Sequence, residues 1–489
     1  MIRRKKIMAN AFTQAINNIT YTQNGALTYS TSGDACVDFF SKAGAIRKEN
    51  EYEIVALFVN AFKQNPEYAL RTLAYARDIR GGLGEKRIYR LIARTLLDKG
   101  ANLDVFADMT IEYGSWKDIF EVCTDAEIAH IVKREFDRRI SAGEERPNLM
   151  EKYMFSIGGK DNRRAEKLAA ALGATPKAYR KYLAKARKDI DVVETHMCAR
   201  DWEGIRYEHV PSKAGMNYTH AFGRHDATRY GEYLESVKSG KTTMNASTLY
   251  PYEIVRKIYP AINGWNREQI DTEAYELMWK NLKDYTCDGN AIVVTDVSGS
   301  MTCDNFMPIS VAISLAIYFA ERNKGAFHGQ MITFSQRPTF FNIDDAWSLN
   351  DKISLVSKAG WGMNTDLNKV FDIILARCVA NHVPAEDMPK TIYIVSDMEF
   401  DACAHLTNYE GIKQRYAEAG YDCPNAIIFW KVNDHGSTPV RFNDNGVALV
   451  SGCSPSIFEL ATSGDLDPVK FMLRAIMNPR YDMAAKLLS

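Results

Sequence analysis

Hydrophobic residues recur at intervals of three and four between residues 51 and 190, in short segments separated by Gly, Pro or Asn. This spacing gathers the apolar side chains on one face and predicts amphipathic α-helices of roughly two to four turns. The predicted helices are EYEIVALFVNAFKQN, PEYALRTLAYARDIRGG, EKRIYRLIARTLLDKG, ANLDVFADMTIEYG, SWKDIFEV and DAEIAHIVKREFDRRISAG. Helices this short cannot bury their apolar faces alone, so the pattern favours helices stacked in pairs.

From about residue 290 the pattern changes to apolar runs that alternate with helical segments. The runs predicted as strands are AIVVTDV, GQMITFS, KTIYIVSDM, NAIIFWKV and GVALVSG. Strands that are apolar throughout and alternate with helices indicate a doubly wound sheet buried on both faces, which binds ligands at the carboxyl ends of its strands. We therefore predict an N-terminal segment (1–32), a helical repeat domain (33–285) and an α/β domain (286–489).

The composition of 46% hydrophobic and 25% charged residues is that of an ordinary globular protein, and 489 residues exceed what one core can hold. Nine cysteines without a CxxC pair predict reduced thiols rather than a disulfide or zinc framework. The basic start MIRRKKIMANAF lacks an apolar signal region, and no run reaches the roughly 18 apolar residues of a membrane span. We therefore expect a soluble monomer in the cytoplasm, or in the host cytoplasm if a virus encodes it.

The formal net charge of zero conceals an uneven distribution of charge. Residues 291–489 contain 16 Lys or Arg and 22 Asp or Glu, a net charge of −6, so residues 1–290 carry +6. A basic region suits a polyanionic partner. The asymmetry therefore directs the search for a nucleic-acid surface to the helical region.

Candidate chemistry begins where the first apolar strand ends. Asp296, Ser298 and Ser300 directly follow AIVVT, and an Asp followed by alternate hydroxyls can direct three oxygen ligands toward one point. Thr365 opens a predicted helix after WGMN, and Asp397 ends the apolar run YIVS, so both are predicted at the same sheet edge. Because Mg²⁺ and similar hard cations prefer oxygen ligands, the five residues predict a divalent cation site.

The combination of DxSxS, a downstream Thr and a downstream Asp resembles the metal-ion-dependent adhesion site of von Willebrand factor A domains. The resemblance implies that some of these residues bind the metal directly and others through water, leaving one position for a partner's acidic group or a water. DVSGS alone is also typical of a turn whose Asp and Ser cap a helix. Neither a His or Cys nucleophile nor a second carboxylate cluster accompanies the motif, so the sequence favours a non-enzymatic site.

A basic stripe follows the loop RDIRGGLG in the segment of residues 75–95. On a helical projection the apolar residues share one face, and the opposite face and the preceding loop carry the cations Arg77, Arg80, Lys86, Arg87, Arg90 and Arg94. Basic side chains beside a helix N-terminus favour an anion such as phosphate. The alternative is a solvated charged face, with GGLG as a tight turn. The loop lacks the GKS or GKT ending of a nucleotide-hydrolysing P-loop.

Two further segments carry candidate basic residues. Residues 131–190 contain 16 Lys or Arg and 8 Asp or Glu, interleaved with Tyr and Phe, which suits a nucleic-acid surface. A salt-bridged helical surface is the alternative. In VPSKAGMNYTHAFGRHD, residues 210–226, the candidates are Lys213, Arg224 and His225, although a structural loop anchored by Pro211 and Ser212 is the default expectation.

An ordered set of motifs, from about residue 33 to 480, resembles the Ro autoantigen family, which joins a TROVE module to an A-type domain. The matching stretches are GDACVDFF, LAYARDIRGGLGEKR, EYGSWKDI, YRKYL, VPSKAGMNYTHAF, TLYPYEIV, VTDVSGSM and VSDMEF. They are more similar still to an uncharacterised branch of Ro-like proteins found in phages, bacteria and some eukaryotes. The resemblance implies a ring of helical repeats that holds single-stranded RNA ends in its central hole and structured RNA on its basic outer surface.

Pattern and resemblance together predict an α-helical repeat, a HEAT-like solenoid or ring, followed by an α/β doubly wound von Willebrand factor A-type domain. The predicted function is non-enzymatic binding of small noncoding, structured or single-stranded RNA, with Mg²⁺ in the A-type domain. The RNA-binding candidates are Arg77, Arg80, Lys86, Arg87, Arg90, Arg94, Lys213, Arg224 and His225. The alternative is a scaffold whose metal captures an acidic residue of a protein partner.

Overall fold

The computed structural model describes residues 18–22, 25, 27–265, 272–286, 290–334, 338–358, 367–398, 409–434, 436–441, 443–460 and 466–488. In this part of the chain a region of many helices is followed by a six-stranded mixed sheet with its own helices. This arrangement confirms the predicted fold class, a helical array followed by an α/β doubly wound domain of the A type.

The helical region opens with a short antiparallel hairpin of β1 (Ile19–Tyr21) and β2 (Leu27–Tyr29). The α-helices described there are α1 (Ala35–Lys42), α2 (Glu51–Gln64), α3 (Pro66–Arg77), α4 (Arg87–Asp98), α5 (Leu103–Tyr113), α6 (Trp116–Val122), α7 (Asp125–Ser141), α8 (Leu149–Tyr153), α9 (Asn162–Ala171), α10 (Pro176–Asp189), α11 (Val193–Ala199), α12 (Ser212–His225), α13 (Ala227–Lys238), α14 (Pro251–Ile262) and α15 (Thr272–Lys280). The six segments with regular apolar spacing form α2 to α7, as predicted.

Local signals explain why these helices begin where they do. In the described helical region, polar side chains accept hydrogen bonds from first-turn amides at the N-termini of seven helices, and these capping residues are Asp34, Asn50, Asn65, Asn102, Thr124, Asn148 and Thr175. Each cap satisfies an amide that has no partner inside the helix. The apolar faces then pack together in one core, as Ile88, Ile92 and Leu96 of α4 do.

The expectation of a structural loop at residues 210–226 is wrong, because most of this segment forms α12. Pro211 precedes the helix in extended conformation, and Met216 and Phe222 are buried. The Phe222 ring packs edge-on against Tyr207, with 5.2 Å between ring centroids. Small and polar residues dominate the segment, so its helical state depends on tertiary packing that its local pattern does not reveal.

The second region is built on the sheet order β5-β4-β3-β6-β7-β8. Its strands are β3 (Ala291–Asp296), β4 (Gln330–Phe334), β5 (Thr339–Asn342), β6 (Thr391–Ser396), β7 (Ala426–Lys431) and β8 (Val447–Ser451). Its α-helices are α16 (Cys303–Arg322), α17 (Leu349–Ser357), α18 (Leu367–Ala380), α19 (Tyr409–Glu418), α20 (Ile457–Leu460), α21 (Pro468–Ile476) and α22 (Asp482–Ala485). All adjacent pairs are parallel except β4 and β5, which are antiparallel. Every residue of β3, β7 and β8 is buried, as expected for strands covered on both faces.

Helix α16 forms the centre of this region and packs against α14 of the helical region. The stretch Gly299–Arg322 is the one described segment long and apolar enough to cross a membrane, and 78% of its apolar window is buried inside the protein. Burial of this kind is also typical of a core helix. Before its regular turns, Asp304, Asn305 and Phe306 have φ of 53°, 52° and 61°, a left-handed backbone that is strained for Phe.

Specific hydrogen bonds also join the helical region to the sheet region. The Gly44 amide donates to Ser451 Oγ at 2.8 Å, and a Cβ on Gly44 would lie 2.5 Å from the Gly452 backbone. Near the C-terminus, the Arg480 guanidinium donates two hydrogen bonds, of 2.5 and 2.9 Å, to the fully buried carboxylate of Asp78. The end of the chain is thereby fastened to the loop that follows α3.

One ion cluster of the helical region is expected to respond to pH. The His196 ring contacts Asp191 Oδ1 at 2.7 Å and Asp201 Oδ2 at 2.8 Å, and hydrogen bonds to these two carboxylates raise the pKa of His196 above 6.5. Because the folded pKa is raised, the stabilisation is fully present below about pH 6.5 and is lost as the pH rises through the folded value. We expect Asp201→Asn to lower the His196 titration midpoint measured by NMR, and exposed Asp137→Asn to leave it unchanged. An unchanged midpoint in Asp201→Asn would contradict this assignment.

Candidate metal site and basic surfaces

Two acidic residues lie at the carboxyl ends of neighbouring strands. Asp296 is the last residue of β3, and Asp397 directly follows β6. The two strands are paired in parallel, with Thr295 opposite Val395, so both carboxyl groups belong to the same sheet edge. Asp296 is 3% exposed and Asp397 2% exposed. The five residues that precede Asp296 in β3, including β-branched Val293 and Val294, are all buried and hold the strand in place.

Hydrogen bonds fix the orientation of the Asp296 carboxylate. The Ser298 amide donates to Oδ1 at 2.9 Å, and the Ser396 hydroxyl donates to Oδ2 at 2.7 Å. Ser396 Oγ in turn accepts from the Met398 amide at 3.0 Å. The hydroxyls of Ser298 and Ser300 lie 3.0 Å apart, at the start of the 3-10 turn that leads into α16. The structure thus brings Asp296 together with both predicted serines.

Ser396 is a member of this site that the sequence interpretation missed. It precedes Asp397 at the end of an apolar strand and is fully buried. A hydroxyl at the last position of such a strand, beside a predicted metal ligand, is the signal that could have identified it. Its role is to orient Asp296 from the neighbouring strand.

The electrostatics of the sheet edge favour a cation. Burial, followed by repulsion from the Asp397 carboxylate, raises the pKa of Asp296 to about 6. Two buried carboxylates at the same sheet edge destabilise each other unless positive charge compensates them. The carboxylate and hydroxyl oxygens also match the donors that Mg²⁺ prefers, so the residues present fit a divalent cation. Among the described residues no group of three His, Cys, Asp or Glu side chains forms an alternative metal site.

The remaining predicted metal ligand, Thr365, lies outside the described residues. Asp366, next to Thr365, and Glu399, two residues after Asp397, also lie outside the described residues. Asp304, near the motif, forms an ion pair of 2.7 Å with Lys48 of the helical region. Asp304 therefore belongs to the contact between the two regions.

Three of the predicted basic residues around α4 have acidic partners. Arg77 and Arg90 both bind the carboxylate of Asp118, which is fully buried and lies on α6. Arg94 binds Glu127 at 2.8 Å. This half of the stripe therefore connects α3 and α4 to α6 and α7, in keeping with the salt-bridged alternative.

The other cations of this segment differ from one another. Arg87 donates to the Arg47 and Glu49 carbonyl oxygens at 3.0 and 2.8 Å, and Arg80 donates to the Glu112 carbonyl oxygen at 2.9 Å. Lys86 is exposed, and no carboxylate of the described chain forms an ion pair with it. Of these six cations, Lys86 keeps its charge most available for a ligand.

The three candidates on α12 do not form one group. Lys213, in the first turn, forms an ion pair with Glu253 of α14. Arg224 and His225 are exposed in the last turn, and the His225 ring stacks on Trp202 with 4.6 Å between ring centroids. The structure thus separates Lys213, which lies close to Lys86, from the other two.

A basic surface with fewer acidic partners lies on α10. Tyr179, Leu183 and Ala186 are buried on one face of this helix. Its opposite face carries exposed cations with no ion pair in the described chain, which we call the α10 stripe: Lys177, Arg180, Lys181, Lys185 and Lys188. Lys160, in the turn before α9, and Arg163, in the first turn of α9, are likewise exposed and unpaired among the described residues. The basic segment predicted at residues 131–190 is therefore mostly paired in its α7 part and largely unpaired along α10.

Comparison with known proteins connects the chain to proteins of unknown function. The model of a family described as a domain of unknown function (DUF2828) matches residues 22–146 and 150–288. The model of a second such domain (DUF7788) matches residues 290–467. An uncharacterised protein of Acanthamoeba polyphaga mimivirus, L728, is 27% identical over 519 residues, covering 95% of this chain and 89% of the relative.

Two solved structures are similar in part. The Ro (RSR) protein of Deinococcus radiodurans aligns with 88% of this chain and 92% of its own, at 14% identity and a TM-score of 0.33. Proximal thread matrix protein 1 of the mussel byssus aligns with 36% of this chain and 46% of its own, at 14% identity and a TM-score of 0.25.

Proposed function

The chain belongs to the family described as a domain of unknown function (DUF2828), and we propose that this member binds RNA without acting as an enzyme. The α10 stripe is the observation that carries the proposal, because its five cations are exposed and unpaired among the described residues. The ordered motifs shared with Ro-type proteins support the same ligand class.

The α10 stripe suits a nucleic-acid backbone for a geometric reason. Lys177, Lys181, Lys185 and Lys188 follow one another at intervals of three and four, which aligns them along one side of the helix. Cations in such a row can contact successive phosphates and release the counterions bound there. Tyr182, at the side of the row, is 40% exposed and offers a ring on which an unpaired base can stack.

In this proposal Asp296, Asp397 and the hydroxyls of Ser298 and Ser300 hold Mg²⁺ at the sheet edge. The cation supplies positive charge that offsets the two buried carboxylates and a coordination position for an acidic group or water. The RNA surface and the metal site lie on different elements, so separate variants can test them.

Binding to the α10 stripe is expected to be sensitive to salt and to specific charge removal. We expect fluorescence anisotropy to detect binding of the full-length protein to labelled single-stranded and hairpin RNA. The triple variant Lys177→Gln, Lys181→Gln, Lys185→Gln should weaken binding. For the single-stranded probe, loss of three phosphate contacts should reduce the slope of log K against log salt by about 2.

The matched control removes the same charge elsewhere. Lys241, Lys358 and Lys390 are also exposed and have no ion pair in the described chain, so their triple Gln variant should bind RNA like the wild type. An equal loss in both variants would contradict binding at the α10 stripe. Absence of RNA binding, together with capture of a protein partner that Asp296→Ala abolishes, would favour the scaffold alternative.

A further inference from the structure

The first turns of three helices meet beside the loop that precedes α4. Lys213 of α12 and Glu253 of α14 form an ion pair, which joins those two N-termini. Gly84, in the loop before α4, has φ of 70°, and a Cβ there would lie 2.3 Å from the hydroxyl oxygen of Tyr250. Because Tyr250 is the N-cap residue of α14, the loop places the start of α4 against the same point.

Lys86 stands at the N-cap of α4 and is the open cation of this junction. Its side chain forms no capping hydrogen bond, and the first turn of α4 contains no acidic residue. The first amides of any α-helix lack partners inside the helix, and the helix dipole adds partial positive charge there. The α4 N-terminus therefore keeps its attraction for an anion.

Arg77 lies beside the start of α4, since the Glu85 amide donates to the carbonyl oxygen of neighbouring Ala76 at 2.7 Å, and one of the Arg77 donors has no partner among the described residues. Its side chain is 1% exposed, and its Nε and Nη2 both donate to Asp118 Oδ2, at 3.0 and 2.6 Å. Its Nη1, on the other edge of the guanidinium, is buried and has no hydrogen-bond partner in the described chain. A buried donor without an acceptor is costly and is usually satisfied by a bound group or water.

The positive groups of the junction act on one another. Burial, then the charges of Arg77 and Lys213, lower the pKa of Lys86, although its side chain is exposed to solvent. Glu253 is paired with Lys213, and Asp118, whose charge acts in the opposite direction on Lys86, is itself bound by Arg77 and Arg90.

We propose that Lys86, Lys213, Arg77 and the N-terminal amides of α4 bind one phosphate group of the RNA. The inference rests on the proposed RNA-binding function and assigns it a specific anion site apart from the α10 stripe. A phosphate presents several oxygens, so it can accept from an ammonium group, a guanidinium and backbone amides at once. The same chemistry is offered by a terminal phosphate and by a backbone phosphate.

The test uses the full-length protein, its Lys86→Gln variant and a control, Lys241→Gln. Lys241 is exposed in the turn after α13 and forms no ion pair with any described residue. The probes are one single-stranded RNA with a 5′-phosphate, the same RNA with a 5′-hydroxyl, and inorganic phosphate. RNA affinity is measured by anisotropy. Phosphate binding is measured as the rise in Tm relative to chloride at equal ionic strength.

We expect Lys86→Gln to weaken RNA binding about tenfold, as loss of one charge-assisted hydrogen bond implies, and to remove the phosphate-dependent rise in Tm.

The outcomes separate the site from the general function. A tenfold loss confined to the 5′-phosphorylated RNA supports the site and assigns it a terminal phosphate, whereas an equal loss with both RNAs supports it and assigns a backbone phosphate. Normal RNA binding by Lys86→Gln overturns the site and leaves RNA binding on the α10 stripe intact.

If the wild type binds neither RNA, a Lys86-dependent response to inorganic phosphate keeps the anion site and overturns the RNA function. No response to any probe overturns both. Because the Lys86 side chain forms no ion pair within the described part of the chain, its variant should keep the far-UV circular dichroism of the wild type.

Discussion

Replacing Asp118 by alanine is expected to lower the free energy of unfolding by about 3 to 5 kcal/mol. The Asp118 carboxylate is fully buried and binds Arg77 of α3 and Arg90 of α4 at 2.6 and 2.7 Å. It also accepts hydrogen bonds from the backbone amide and the hydroxyl of Ser115, the N-cap residue of α6. Removing it leaves the buried guanidinium of Arg77 without its counter-ion and detaches three helices from one another. Urea denaturation followed by circular dichroism measures the effect.

Two further variants make the Asp118 result specific. Glu121 binds the same Arg90, but its side chain is 42% exposed, so Glu121→Ala should cost no more than about 1 kcal/mol. Asp118→Asn keeps one acceptor and removes the charge. Its loss of stability should fall between those of Asp118→Ala and Glu121→Ala. A loss below about 1 kcal/mol for Asp118→Ala would show that Asp118 does not hold the three helices together.

This arginine cluster illustrates what the sequence could not reveal. A helical projection correctly placed Arg90 and Arg94 on one face of α4, but their acidic partners come from α6 and α7. Whether a cation is free for RNA depends on tertiary contacts that composition does not record. On α10 the same kind of basic pattern has few acidic partners, so two similar segments differ in what they offer a ligand.

The fold was predictable wherever one strong pattern sufficed. The buried parallel strands were recognised because each is an uninterrupted apolar run bounded by turn signals, as in β3 and β7. β5 was missed because it is a four-residue antiparallel edge strand whose side chains are not buried. The hairpin of β1 and β2 was missed for a similar reason, since each strand has three residues. Short edge strands carry too few buried positions to form a pattern.

The geometry of the candidate metal site was predictable to the extent that strand ends determine it. Asp296 and Asp397 were placed at one sheet edge from their positions after apolar runs, and the strand pairing brings them there. The hydrogen bond from Ser396 to Asp296 crosses two strands that are 100 residues apart in sequence, so only the register reveals it. Thr365 stays a prediction from the motif.

Mg²⁺ is expected to stabilise the wild-type protein and to have no effect on Asp296→Asn. A ligand present at about 100 times its Kd adds roughly 2.7 kcal/mol to the free energy of unfolding, which should be visible as a higher Tm. Asn at position 296 can still accept from the Ser298 amide and contact the Ser396 hydroxyl, so the loop should keep its shape. It lacks the charge that holds a divalent cation. The measurement compares EDTA-treated protein with and without added Mg²⁺.

The metal-free proteins supply the sharper part of this prediction. Without a cation, wild-type Asp296 is a buried carboxylate beside Asp397, and that repulsion is absent in Asp296→Asn. At neutral pH the metal-free variant should therefore be at least as stable as the metal-free wild type, whereas with Mg²⁺ the order should reverse. Asp304→Asn is the matched control. It neutralises a less buried carboxylate near the motif, which is paired with Lys48. Asn also tolerates the left-handed backbone of position 304. A Mg²⁺ response that survives in Asp296→Asn, or disappears in Asp304→Asn, would place the cation elsewhere. Only a metal bound by Asp296 makes the Asp296→Asn substitution stabilising without the ion and destabilising with it.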